Sequence, residues 1–140
     1  MNEPEKKAQQ LYSEFQMIDA NVKQLQRQLE LATQQIMEIS STSQSLDEFE
    51  KIQSGKEILV PLSSGIFAKA SIKDNSELLV NVGSNVVVSK DVASTKALLQ
   101  KQLEEVRSVH SQMNNELEKM IHRATKIQVE LSGLVGENNF

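Results

Sequence analysis

Apolar residues recur at every seventh position through the first third of the chain, at Leu11, Ile18, Leu25, Ala32, Ile39 and Leu46. A second series runs between them, at Phe15, Val22, Leu29 and Ile36. Placing the first set at d and the second at a gives the heptad of a coiled coil, and a pattern sustained this long admits few other folds. The register is expected to break at Ser43, where an a position turns polar. The last third repeats the pattern without interruption. There Leu99, Val106, Met113, Met120, Ile127 and Leu134 fill d, while Leu103, His110, Leu117, Ala124 and Leu131 fill a.

Two such arms, each about 60–68 Å long at the α-helical rise, are too long to curl around a globular core. They match in length and are joined by a segment able to reverse the chain. An antiparallel intramolecular coiled coil, each arm covering the other's stripe, is the economical solution. Pro4 suits the first turn of the first helix, Asp91 a cap for the second, and Gly55 a stop for the first.

The middle of the chain changes period from seven to two. "ILVPLSSGIFAKASI" and "ELLVNVGSNVVVSK" predict four strands, at 57–63, 66–73, 77–83 and 86–90, joined by "SSG", "KDNS" and "GSN". Gly65, Gly83 and Asn85 can supply the positive φ of tight turns. Pro61 lacks a ladder donor and suits an unpaired side of its strand. The alternation marks Ile58, Val60, Leu62, Ile66, Ala68, Ala70 and Ile72 in the first hairpin and Val80, Val82, Val86 and Val88 in the second. Two isolated hairpins are marginal in water and leave unpaired edges, so these residues are expected to form an oligomer interface. The expected class is therefore α+β: a long antiparallel α-helical coiled coil with two central β-hairpins. It is read as one domain, with a first helix over 1–54, hairpins over 57–90, a second helix over 91–136 and a tail at 137–140.

Composition narrows the function. The net charge of −4 comes with scattered basic residues, so no phosphate-reading face is expected. The chain has no cysteine, which excludes disulfides and thiolate metal sites. The opening "MNEPEKKAQQ" lacks the apolar core of a signal peptide, and no apolar run is long enough for a membrane span. His110 falls at a and His122 at f, so they share no face, and "GSN" lacks the Lys-Ser/Thr of a phosphate loop. Glu104, Glu105, Glu116 and Glu118 read as solvated coil charges. No catalytic constellation, metal site or cofactor site is expected.

The order helix, "ILVPLSSGIFAKASIKDNSELLVNVGSNVVVSK", helix resembles the alpha class of the prefoldin family, of the archaeal type, over essentially the whole chain. "LVPL" at Leu59–Leu62, the strand ending "KASIKD" and "LLVNVGSNVVVSK" carry the resemblance most specifically, and two hairpins rather than one match the alpha class. The turns "SSG" and "GSN" depart from the more glycine-rich turns common among relatives. The resemblance implies a cytoplasmic hexamer of two alpha and four beta subunits whose hairpins join an intersubunit β-barrel. It further implies that the coiled coils hold unfolded client proteins and pass them to a group II chaperonin without ATP.

At the free ends of the arms, Leu11, Tyr12, Phe15, Leu131, Leu134, Val135 and the terminal Phe140 form the expected client-contact set. Met17, Leu31, Met37, Val109, Ile121, Val129 and Val135 fall off the seam. Single exposed apolar side chains are ordinary on any protein surface. Methionine, being flexible, also suits contact with varied partners. The rival reading is a scaffold or tether in which the coil merely spaces the hairpins. An enzyme with a coiled-coil arm is disfavoured because no segment remains to build a pocket.

Overall fold

The computed structural model describes residues 2–138, with side chains through Leu134. The order of elements is α1 (Glu3–Glu50), β1 (Glu57–Ser63), β2 (Ile66–Ser71), β3 (Glu77–Asn81), β4 (Val87–Asp91) and α2 (Val92–Asn138). The chain divides into two compact units, Met1–Gln35 with Val106–Phe140, and Ile36–Glu105.

The first unit pairs the start of α1 with the end of α2. Asn2 caps α1, its Oδ1 accepting the Glu5 N–H at 2.9 Å, and Glu3 and Glu5 place negative charge at the positive end of the helix dipole. Pro4 sits in the first turn, as its sequence position predicts. Leu11, Leu25, Ala32 and Ile127 are buried, and the remaining heptad positions of this unit are half-buried. Glu14 meets Arg123, and further along α1 Thr33 meets His110. As one partner advances along α1 the other retreats along α2, so the helices run antiparallel. Both Glu14 and Arg123 occupy g positions in the heptad register, a pairing that antiparallel strands bring together.

The second unit contains the end of α1, the four strands and the start of α2. Ile39, Val92, Leu103 and the lone polar residue Thr95 are buried. Ser43 and Leu46 are half-buried, and Phe49 beyond them also, so the seam continues past the expected break. A serine is small enough to sit in a coiled-coil seam without forcing the helices apart. It gives up apolar contact rather than geometry.

The ends of α1 and of the strands differ from those expected from the sequence. The helix stops at Glu50 rather than near Gly55, closing through two short turns, Lys51 N–H to the Glu48 carbonyl and Ile52 N–H to the Phe49 carbonyl, both 3.1 Å. Gly55, with φ +86°, belongs to a separate turn that Lys56 N–H closes on the Gln53 carbonyl. The strands β2 and β3 end two residues earlier than their alternation suggests, and β4 runs from Val87 to Asp91.

The strands form two separate two-stranded antiparallel sheets, β1 with β2 and β3 with β4. In the first, Ile58 faces Ala70, Val60 faces Ala68 and Pro61 faces Phe67; the register then shifts, leaving Leu62 unpaired in a bulge. In the second, Leu78 faces Lys90, Leu79 faces Ser89, Val80 faces Val88 and Asn81 faces Val87. The β3–β4 turn centres on Ser84 and Asn85, and Ser84 joins the positive-φ residues that the sequence marks. Gly83, Ser84 and Asn85 all take positive φ, at 118°, 51° and 62°, and Val86 N–H closes on the Gly83 carbonyl at 2.9 Å. Two successive positive φ values at the turn centre suit the right-handed twist of the flanking strands.

Candidate protein-binding surfaces

The hairpins carry two faces of different character. One holds Ile58, Val60, Ala68 and Ala70 in the first hairpin and Leu78, Val80 and Val88 in the second, most of them half-buried. These include the positions that strict alternation marks. Ile72, just past β2, is half-buried as well, whereas Leu62, Ile66, Val82 and Val86, near the turns, are exposed.

The opposite face holds Leu59, Pro61, Phe67, Leu79 and Val87, which the alternation passed over. Leu59, Phe67, Leu79 and Val87 are each between 55% and 77% exposed. The signal was present in the unbroken apolar runs "ILVPL", "LLV" and "VVV", because a continuously apolar strand places large side chains on both faces rather than one. Every strand is an edge strand with unpaired backbone groups, so the segment offers apolar faces and hydrogen-bonding edges at once.

The free end of the first unit is organised differently. Leu11 is buried in the seam, and Phe15, Leu131 and Leu134 are half-buried, so these four pack between the arms. Tyr12 is exposed and, with Lys6, Gln9, Ser13 and Met17, lines a broad open concavity along α1. Nearer the middle of this unit, Phe15, Ile18, Val22, Ile121 and Ala124 line a smaller groove of about 220 Å³. The small Ala124 at an a position leaves that gap. The off-seam residues Met17, Leu31, Met37, Val109, Ile121 and Val129 are all exposed, as expected for those at b, c and f, Met17, Leu31, Met37 and Val129. The side chain of Val135 and the whole of Phe140 lie outside the described residues.

Charged and polar contacts tie the arms together at intervals. Arg123 grips Glu14 bidentately, Nε to Oε1 at 2.8 Å and a terminal nitrogen to Oε2 at 3.0 Å. The guanidinium hydrogen bonds, and to a lesser degree its charge, hold the Glu14 carboxyl below the usual range. Lys96 reaches Asp47 at 2.5 Å and Glu50 at 3.0 Å, and hydrogen bonds to the two carboxylates raise its affinity for the proton. His110 lies half-buried in the seam with Nε2 3.3 Å from the Thr33 hydroxyl, whose proton is given to the Leu29 carbonyl. His122 is exposed. Among the described residues there is no grouping of His, Cys, Asp and Glu able to hold a metal ion, and no helix is long and apolar enough to cross a membrane.

Residues 18–137 match the family model for the prefoldin subunit. The prefoldin subunit alpha of Thermofilum pendens is 33% identical over 86% of this chain and 93% of its own length. That of Archaeoglobus fulgidus is 28% identical over 91% and 93% respectively. Among solved structures, a filamentous PFD from Methanocaldococcus jannaschii, determined by cryo-EM, superposes with a TM-score of 0.76 over 85% of this chain and 98% of that one. At 13% identity the last likeness speaks to the fold.

Proposed function

The chain belongs to the prefoldin family of non-enzymatic chaperone subunits, and from that premise we propose that it is the alpha-class subunit of an ATP-independent holdase. Its two hairpins join those of beta-class subunits in a hexamer of two alpha and four beta chains, closing an intersubunit β-barrel in the cytoplasm. The distal ends of the arms hold non-native proteins, which pass to a group II chaperonin.

The observation that carries this reading is the state of the hairpins. Two separate two-stranded sheets, each with open edges and with large apolar side chains exposed on one face, have no reason to persist in water unless another chain covers them. In the first unit, Tyr12 and Met17 offer exposed apolar surface on α1. Methionine and an aromatic ring with a polar tip adapt to partners of differing shape.

Two measurements test it. The native mass of the chain with and without a beta-class partner should show a hexamer only in the mixture, and a monomer under both conditions would refute assembly. Trimming residues 1–14 and 130–140 should reduce suppression of aggregation by the assembled complex. Full suppression by an intact trimmed hexamer would favour the rival reading, a scaffold that spaces its hairpins without holding clients.

A further inference from the structure

The two junctions between helices and strands are built unequally. β4 passes into α2 with no intervening residue, because Asp91 both ends the strand and caps the helix, its Oδ1 accepting the Ser94 N–H at 2.6 Å. At the other junction, residues 51–56 separate α1 from β1. The last turn of α1 contains no basic side chain, and such an end leaves carbonyl oxygens without helical donors.

One side chain from the linker between the hairpins supplies donors there. Asn75 Nδ2 donates to the Glu50 carbonyl at 3.0 Å and to the Ile52 carbonyl at 2.7 Å. The same stretch is laced twice more, by the Ser54 hydroxyl to the Lys73 carbonyl and by the Gly55 N–H to the Ile72 carbonyl at 2.8 Å. Asn75 is itself presented by a local turn in which the Asp74 carboxylate accepts the Ser76 N–H at 2.9 Å and its hydroxyl at 2.7 Å. Phe49 of α1, Ile72 and Leu79 of β3 line a shallow cleft of about 410 Å³ beside this point, so both hairpins converge on the end of α1.

We infer that Asn75 is a positioning residue for assembly: its carboxamide fastens the inter-hairpin linker to the end of α1 and holds both hairpins in the arrangement that a partner subunit completes. The inference rests on the reading of the hairpins as the assembly surface. The chemistry is specific, because two carbonyl acceptors require two donors from one planar group. A carboxylate has the same shape and no donor.

The test uses the full chain with Asn75→Asp and Asn75→Ala, read by amide hydrogen exchange and by native mass in the presence of a beta-class prefoldin subunit. Loss of two hydrogen bonds should speed exchange at Lys51, Ile52, Gly55 and Lys56 by roughly five- to thirty-fold in Asn75→Ala. The effect should be larger in Asn75→Asp, which turns a carboxylate onto the two carbonyl oxygens. Exchange at Leu25 and Ile127 should stay as in the wild type, and the hexamer fraction should fall in the order wild type, Ala, Asp. Unchanged exchange at the four amides, or exchange raised equally at Leu25 and Ile127, overturns the inference, as does full assembly of Asn75→Asp. A wild-type chain that fails to assemble sinks the assembly reading itself, which is a different result from a wild type and an Asn75→Asp chain that assemble equally well.

Discussion

Ile127 is the one side chain among the described residues with no exposed surface, which makes it the place to measure what the seam is worth. Ile127→Ala removes three carbons, and at about 0.8 kcal/mol per buried methylene the transfer loss alone is about 2.4 kcal/mol. A residual cavity adds to this, although helices in a slender coil can close on the gap, so the total should be about 3 kcal/mol. For a chain of this size that lowers Tm by about 10 °C. The control is Val129→Ala, on the same helix at a position 68% exposed, where the change should stay within about 0.5 kcal/mol. Thermal and urea unfolding followed by circular dichroism at 222 nm give both numbers. If Ile127→Ala costs less than about 1 kcal/mol, or no more than Val129→Ala, the heptad seam is not what holds the arms together and the burial argument fails.

Three further outcomes are expected. Leu79→Glu, on the open hairpin face, should leave helicity intact while lowering the fraction of chain in the hexamer, measured by native mass; normal assembly would mean that this face stays bare. Ser84→Gly should be tolerated, whereas Ser84→Val should destabilise the second hairpin by about 1–2 kcal/mol, since a β-branched residue fits the left-handed region poorly; faster amide exchange at Val86 is the readout. Glu14 has a lowered pKa in the folded chain, so its contribution is fully present at neutral pH and is lost as pH falls through that lowered value, beneath the ordinary 4.5. An NMR titration should place Glu14 below its ordinary value in the wild type and return it there in Arg123→Gln.

The arms were legible because a seven-residue period states directly which side chains share a face, and every heptad position from Leu11 to Ile39 and from Leu99 to Leu134 is at least half-buried. The hairpins were legible as elements but only half legible as surfaces. Alternation selects one face by construction, so it named Val80 and Val88 and passed over Leu79 and Val87, which are more exposed. The end of α1 was misplaced for a related reason. A glycine is the local sign of a helix stop, but here the donors that complete the end come from Asn75, more than twenty residues away. No local pattern encodes such a contact. Asp91, by contrast, caps its helix through a neighbour three residues on, and that spacing was readable.

The direct passage of β4 into α2 has a mechanical consequence. A strand and a helix with no residue between them have no linker in which to swivel, so reorienting the second hairpin carries the start of α2 with it. The α1 junction lacks that stiffness and is held by polar contacts that water can replace. Under tension the molecule should therefore yield on one side only, with α1 parting from its strand while α2 still carries the load.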